Sequence, residues 1–478
     1  MSGDVRIILS FATEDFVTPE HDDVLLHLAT ALTERGLVGN FHLTGQLART
    51  LRERNRKDVI DAIARHELGY HSNTHGMSPF IARVFEENSW DEGVAKIMPG
   101  EAKGLRDVEE IIGKRAEYFV LEFIKAPQLI HAMGLLGVRL IGYSQYPTQG
   151  RGAAWMAGTL CCGGDVLLGL ESGPDTPNRL DRMKGKFDKL HERARAGESD
   201  GIIRPFLHPY KLITQPKKSW GLINRAYQRE LPPHEEWIVP ERLPAHVTKR
   251  LLAEYDAMLD YMSAGPGARF SPMSELRRIY AKEPAGPIPL TEVAWLAKGM
   301  QSRAKAMASD DRSYSPAEIY SLLTGALRRY AETRQLPESV PFRVTLGPVD
   351  EPPSDEGKQT VPLSAFLDAC RQEDRQIDAD GRMSPGLECD GRPVGPGTAL
   401  GTAAALLLRL IEGERPLGDV SLAPRPALPE IADDPYFQQD TFHRPAIYPD
   451  GFTGENICRF CRRQSWTYKP AVPLNESS

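Results

Sequence analysis

The chain is 478 residues long, with 58 Lys and Arg against 65 Asp and Glu and a formal net charge of −7 at pH 7. That length suits two or three domains, and the acidic balance argues against a non-specific nucleic-acid binder, whose phosphate contacts require a basic excess. With 41% hydrophobic and 26% charged residues the composition is globular rather than disordered. The densest apolar run, at 403–408, falls far short of the ~20 residues of a membrane span. Residues 1–4 lead straight into Val5-Arg6-Ile7-Ile8-Leu9 without the features of a signal peptide. Six cysteines, two of them adjacent at 161 and 162, make no disulfide scaffold in a chain of this size. The expectation is a cytoplasmic protein with reduced thiols.

Residues 5–11 are almost continuously apolar, as in a strand buried on both faces, and they end at the carboxylates of Thr13-Glu14-Asp15. A helix is expected next, with Asp22 and Asp23 at its start, Val24, Leu25, Leu28, Ala31 and Leu32 as its buried stripe, and Gly36 as its stop. His21 and His27 flank it as surface groups. A second strand follows at 38–43, closed by Gly45, then a charged helix at 56–66 and a third strand at 67–70. Later strands are expected at 118–123, 138–143, 165–170 and 202–207. Seven strands with helices between the early ones argue for a parallel α/β architecture, either a doubly wound sheet or a barrel. In both, ligands gather at the carboxyl ends of the strands, where Glu14, Asp15, His71, His75 and His208 fall.

His71-Ser72-Asn73-Thr74-His75 sets two imidazoles four residues apart, a spacing that turns both rings toward one point as divalent metal binding requires. Two loop histidines satisfied by backbone carbonyls are the alternative. The acidic pair after the first strand favours the metal: Asp15 could be the third ligand, with positions left open for water and substrate, and Glu14 beside it could take a proton from water. His42, between Phe41 and Leu43, reads as a core or barrel-lining histidine. Cys161 and Cys162 have no base nearby and read as buried thiols.

The succession Thr13-Glu14-Asp15, Gly39-Asn40-Phe41-His42-Leu43-Thr44-Gly45, His66-Glu67-Leu68-Gly69-Tyr70-His71-Ser72-Asn73-Thr74-His75 and Phe206-Leu207-His208-Pro209 resembles the NodB-homology domain of polysaccharide deacetylases. Those belong to carbohydrate esterase family 4, within the glycoside hydrolase/deacetylase superfamily. The likeness spans roughly residues 4–280, and the H-[S/T]-x-x-H run is its most specific part. It implies a distorted seven-stranded (β/α) barrel with a divalent metal, commonly zinc, held by Asp15, His71 and His75. Glu14 would stand at the family's general base, and His208 would protonate the leaving amine. The chain departs from the family in carrying Glu14 where the family has Asp, and in lacking the R-x-P-x-G motif. The corresponding region, Phe119-Val120-Leu121-Glu122-Phe123-Ile124-Lys125-Ala126-Pro127, holds no arginine. Glu122, near a strand end, is read as lining the site, with a structural role as the other reading. An insertion around 85–105, carrying Trp90, is read as one wall of the substrate groove.

Residues 211–245 read as a long excursion rich in Pro, Lys and Trp. The barrel is expected to end near Lys282, after the closing phrase Phe270-Ser271-Pro272-Met273, with 283–289 as linker. Residues 290–422 read as a mostly α-helical accessory domain. There Ser315-Pro316-Ala317-Glu318 is a capping box with Pro at the first helical position, followed by Ile319, Leu322, Leu323, Ala326, Leu327 and Tyr330 at helical spacing. The stretch 314–340 is similar to pseudomurein-binding-type repeats, which are associated with cell-wall glycans; a plain helical domain is the simpler reading. Further helices are expected at 361–371 and 398–412, and no repeat unit recurs between them. The tail from 423 onward, with Phe437, Phe442, Tyr448, Phe452, Phe460, Trp466 and Tyr468, is expected to wrap along the domains. Cys458 and Cys461 form half of a zinc site whose other half would come from Cys370, Cys389 or His443, at spacings matching no zinc module.

The leading expectation is a metal-dependent hydrolase that removes an N-acyl group from an amino-sugar glycan or its precursor. Two alternatives stand beside it. One is an impaired barrel serving as a glycan-binding or scaffold protein; the other is a cytosolic amidohydrolase of small amides or ureides. The partner is an N-acylated sugar or small amide, with neither nucleic acid nor a membrane span involved.

Overall fold

A computed structural model describes residues 4–78, 80–120, 126–144, 152–163, 165–166, 168–170, 173–215, 220–224, 233–280, 283–300, 302–353, 360–415, 418–422, 424–438, 448 and 451–474. The apolar run after residue 4 forms β1 (Val5–Ile7) and β2 (Ser10–Thr13), and the expected amphipathic helix is α1 (His21–Glu34). The chain then alternates through β3 (Asn40–Leu43), α2 (Gly45–Glu53), α3 (Lys57–Ile63), β4 (Glu67–Tyr70), α4 (Ile81–Glu86), α5 (Trp90–Ile112), β5 (Tyr118–Val120), α6 (Pro127–Leu135) and β6 (Leu140–Ser144). The hairpin β7 (Ala153–Met156) and β8 (Thr159–Gly163) follows, then β9 (Asp165–Val166), α7 (Arg179–Arg195) and β10 (Ile202–Leu207). α8 (Trp220–Ile223), α9 (Ala245–Ser263), β11 (Ala268–Phe270) and α10 (Leu276–Ile279) complete this half.

Pairing is parallel from β10 through β2, β3, β4, β5 and β6 to β8, and β9, one residue beyond β8, pairs back with β10. Strands covered on both faces are largely apolar, and every residue of β2, β3, β4 and β10 is buried, the polar Asn40, His42, Glu67 and Arg204 among them. The register aligns the strand ends. Thr13 pairs with Leu43, Leu43 with Tyr70, Tyr70 with Phe119, and Leu207 with Phe11. The residues that follow these ends therefore emerge on one rim.

Two glycines mark close approaches. At Gly69 a Cβ would overlap the ring of Tyr118, so glycine is what lets that tyrosine cross β4. At Gly104, in α5, a Cβ would overlap the Tyr70 hydroxyl and crowd Asn73, so the helix lies directly against the loop after β4. Gly104→Val is expected to cost about 1–3 kcal/mol through overpacking, read as a lower urea midpoint; an unchanged midpoint would mean that α5 can draw back freely.

Beyond residue 287 the structure corrects the expectation that no unit recurs. Strand β12 (Ile288–Pro289), helix α11 (Leu290–Gly299), hairpin β13 (Met307–Ala308) and β14 (Ser313–Tyr314), helix α12 (Pro316–Thr333) and strand β15 (Ser339–Val340) form one unit, in which β12 pairs with β15. The same order returns as β16 (Thr360–Pro362), α13 (Leu363–Asp380), hairpin β17 (Leu387–Glu388) and β18 (Pro393–Val394), α14 (Pro396–Ile411) and β19 (Asp419–Ser421), with β16 on β19. Individual bonds repeat as well. Leu290 N–H donates to Glu338 O and Leu363 N–H to Gly418 O, each at 2.9 Å; Ser309 N–H reaches Arg312 O at 2.8 Å and Cys389 N–H reaches Arg392 O at 2.9 Å. The duplication is hidden in sequence because the first helix has 10 residues in one unit and 18 in the other, which breaks any fixed period. Ile288-Pro289-Leu290-Thr291 against Val361-Pro362-Leu363-Ser364 and Asp310-Asp311-Arg312-Ser313-Tyr314-Ser315-Pro316 against Asp390-Gly391-Arg392-Pro393-Val394-Gly395-Pro396 are traces of it. The capping box at Ser315 and Glu318 is formed.

The tail contains α15 (Pro435–Gln438), α16 (Glu455–Arg463) and β20 (Tyr468–Pro470), which pairs antiparallel with β7 and so extends the large sheet. Its Lys469, buried, donates at 2.9 Å to both carboxylate oxygens of Glu318 and also pairs with Glu283. No helix among the described residues is long and apolar enough to cross a membrane.

Candidate metal centre

The common rim brings Glu14, His71, His75 and His208 together. Glu14 Oε2 lies 3.3 Å from His71 Nε2, 3.4 Å from His75 Nε2 and 3.8 Å from His208 Nε2. One ligand atom from each of Glu14, His71 and His75 falls within 4.8 Å of the others, the one such group of His, Cys, Asp and Glu among the described residues. The three are buried, whereas the His208 side chain is 21% exposed and forms the open side.

Donor chemistry explains what this arrangement can hold. His71 Nδ1 sits 3.0 Å from the Val120 carbonyl, which can only accept, so Nδ1 carries a proton and Nε2 is the atom turned to Glu14. Burial pushes His75 down to about 3, so its ring is neutral. Burial alone would raise the Glu14 carboxyl, but His75, His208 and His71 more than offset it and hold it well below its ordinary range. One carboxylate oxygen and two imidazole Nε2 atoms thus converge on one small volume. That set fits a divalent cation with His/His/carboxylate ligation.

Asp15 is not part of this group. Its Oδ1 accepts from Val17 N–H at 2.9 Å and Thr18 N–H at 3.0 Å, closing the turn into α1. Its Oδ2 is buried without a hydrogen-bond partner, and burial pushes the carboxyl up to about 7. Adjacent residues of an extended segment point opposite ways, so with Glu14 turned to the histidines Asp15 serves the turn.

The loop carrying the histidines is held from several sides. Ser72 and His75 adopt φ of +62° and +47°, left-handed conformations that cost non-glycine residues energy and cluster at functional sites. Ser72 Oγ accepts from His75 N–H at 3.0 Å, while Ser72 O and Asn73 O accept from Gly45 and Gln46 N–H at 3.0 and 2.8 Å. From α5, Glu101 accepts from Tyr70 Oη at 2.8 Å.

Residues given no catalytic or ligand role by the sequence complete the site. Beneath it His42 stands perpendicular to His71 with ring centroids 4.8 Å apart, its Nδ1 3.4 Å from Tyr118 Oη; burial holds its pKa far down. The excursion at 211–245 returns to the barrel. Trp220, fully buried, lies 6.0 Å from His75 and 4.8 Å from Phe16, and Trp237 lies 5.1 Å from Phe16. Asn224 pins this return, its side chain bonding both Ile238 N–H and Ile238 O at 2.9 Å. The paired tryptophans were the sequence signal for that wall; nothing in their spacing pointed to His75.

Trp90 is placed elsewhere. It is 3% exposed and packs on Phe460 and His131 at 5.6 and 5.9 Å, because it opens the buried face of α5 instead of a groove wall. Glu122 lies outside the described residues. Cys458 and Cys461 lie on α16 and join no metal-holding group among the described residues. His27 pairs with Asp256 at 3.2 Å, but His21 is fully buried rather than a surface group, and burial pushes it down to about 3. Its unfolded pKa is near 6.5, so below that pH the unfolded chain binds a proton that the folded chain refuses. The contribution is intact above pH 6.5 and falls by up to about 1.4 kcal/mol per pH unit as the pH drops toward 3. His21→Leu is expected to flatten the fall in urea midpoint between pH 6.5 and 4.5; an unchanged slope would show that His21 is not protonated on unfolding.

No family model matches the sequence, and no curated protein matches it. Solved structures do resemble it, among them polysaccharide deacetylases, members of carbohydrate esterase family 4 and an allantoinase. A putative polysaccharide deacetylase from Mycobacterium smegmatis is 13% identical over 58% of this chain and 90% of its own, with a TM-score of 0.37. A probable polysaccharide deacetylase from Pseudomonas aeruginosa PAO1 is 11% identical over 58% of this chain and 92% of its own, with a TM-score of 0.38. A family 4 pseudoenzyme from Bacillus anthracis is 15% identical over 44% of this chain and 57% of its own, with a TM-score of 0.27.

Proposed function

We propose that the chain is a divergent NodB-type hydrolase, cytoplasmic and metal-dependent, that cleaves the amide C–N bond of an N-acylated amino sugar or its precursor. The observation that carries this reading is the convergence of one potential ligand atom from each of Glu14, His71 and His75, with His208 on the open side. The same reading takes residues 1–282 as a distorted seven-stranded barrel and 290–422 as an accessory domain beyond the 283–289 linker.

A bound divalent cation, zinc as the first candidate, supplies Lewis-acid polarisation of an acyl carbonyl and acidifies water at neutral pH. The chain's own residues do the rest. Glu14, His71 and His75 hold the cation, and the Val120 carbonyl fixes the His71 tautomer. His208, the partly exposed member, carries the proton to the leaving amine. Phe16 and Trp220 exclude water beside His75. In this arrangement Glu14 is a ligand rather than the base, and Asp15 organises the turn.

Elemental analysis of the purified chain is expected to find one divalent metal per chain, falling to background in His71→Ala, with amine release from N-acetylglucosamine oligomers lost in parallel. Metal content unaffected by His71→Ala overturns the site. A second reading, a metal-holding scaffold, is favoured by the engagement of Asp15 Oδ1 with backbone, which leaves Glu14 as the one carboxylate grouped with the histidines among the described residues. Bound metal without hydrolysis of oligomers or of a small-amide and ureide panel would select it.

A further inference from the structure

The tail does not merely trail over the surface; both units of the duplicated module grip it at corresponding places. In the second unit the first turns of α14 receive residues 424–428. Thr398 Oγ1 accepts from Arg425 N–H at 2.9 Å. A Cβ at Gly397 would overlap the Pro426 carbonyl and one at Gly401 the Arg425 side chain, so these glycines make the room. In the first unit the matching turns of α12 receive residues 466–469. Lys469 binds Glu318, and Trp466, fully buried, packs toward Tyr320 with centroids 6.5 Å apart. The two gripped segments also meet, since Trp466 Nε1–H donates to Ala427 O at 3.0 Å.

Between the grips the tail crosses to the metal-site side of the barrel. Tyr448 and Phe452, stacked at 4.8 Å and 8°, lie 5.9 and 6.4 Å from Phe80, where the histidine loop ends. One turn later the Glu86 carboxylate, at the end of α4, accepts from the N–H groups of Asn456 and Ile457 at 3.1 and 3.2 Å. Asn456 Nδ2 donates to the carbonyls of Phe85, Glu86 and Asn88 at 3.0, 3.2 and 2.9 Å, closing the end of α4.

We infer that the duplicated helical module is a peptide clamp whose occupant is this chain's own C-terminal segment, and that the clamped segment positions the loop from His71 to Phe80 through Tyr448 and Phe452. Both halves rest on packing and hydrogen bonds alone. The loop needs such support because its left-handed residues gain nothing from regular structure. Tyr448 and Phe452 are positioning residues; they touch Phe80, not the ligands.

Amide hydrogen exchange on the full chain tests the coupling. In Gly401→Leu, exchange over 398–428 and over 76–86 is expected to rise together, by about tenfold or more, while β2 and β3 keep their protection. Tyr448→Ala with Phe452→Ala should loosen 76–86 without loosening 398–428, and Tyr448→Phe should restore protection. Zinc titrated into these variants should bind about tenfold more weakly than in the unaltered chain, the upper range for outer partners of a metal site being ~100-fold. Loosening confined to 398–428 in Gly401→Leu, or unchanged protection over 76–86 in the double variant, overturns the proposal. If Gly401→Leu does not fold, the double variant decides it. Failure of the unaltered chain to bind zinc overturns the hydrolase reading, while exchange still judges the clamp.

Discussion

Glu14→Gln is expected to empty the metal centre, and Asp15→Asn to leave it filled. The carboxylate facing His71 and His75 belongs to Glu14. Gln keeps its size and removes the one negative charge that faces the two imidazoles and would balance a cation there. Loss of affinity should exceed the 10–100-fold typical of an outer partner, with hydrolysis lost alongside. Asp15→Asn keeps an oxygen that can accept from Val17 and Thr18 N–H, so metal content should hold; Asp15→Ala should cost about 1 kcal/mol, as loss of a turn-capping acceptor does. Zinc titration with thermal unfolding of all three variants separates the roles. The opposite pattern, metal lost in Asp15→Asn and retained in Glu14→Gln, would return ligation to Asp15 and the base role to Glu14.

Lys469→Met is expected to be the most damaging substitution outside the site. The Lys469 side chain is 2% exposed and that of Glu318 3%, with Glu283 at 21% completing the cluster. Burial works against the ammonium, but Glu318 and Glu283 overcome it and keep Lys469 charged above its ordinary range. Removing one partner of a buried pair leaves the other charge desolvated, at about 3–5 kcal/mol. Without the lysine, Glu318 should take up a proton on folding, so the deficit shrinks as the pH falls toward 5 and widens above 7. Lys469→Met combined with Glu318→Gln should recover much of the loss. Urea unfolding at pH 5 and 8 checks both the sign and the size; equal deficits at the two pH values would mean that Glu318 reaches water.

Much of the first half was legible in the chain. Mostly apolar runs bounded by polar residues located β3, β4 and β10 nearly to the residue, whereas the single strand expected at 5–11 is split into β1 and β2. Strand ends are also where polar residues first become affordable, so Glu14, His71, His75 and His208 stood out before any geometry was known. The second half was less legible. A duplicated unit whose first helix nearly doubles in length presents no period, and α-helical stripes alone do not say which helix meets which.

Sequence by itself located β3, β4 and β10, the capping box at Ser315 and the histidines that would share a rim, since each follows from local hydrophobic pattern or from a bond spanning a few residues; the β7–β8 hairpin, β11 and the short strands after residue 287 were not expected. Only the tertiary structure decided which of two adjacent carboxylates faces the histidines, that Trp220 returns to wall the site, that Trp90 and His21 are buried, and that the tail is held by both helical units. These depend on the direction each side chain takes from the backbone and on contacts across hundreds of residues, such as Lys469 with Glu318 or Asn456 with Phe85, which no local spacing encodes.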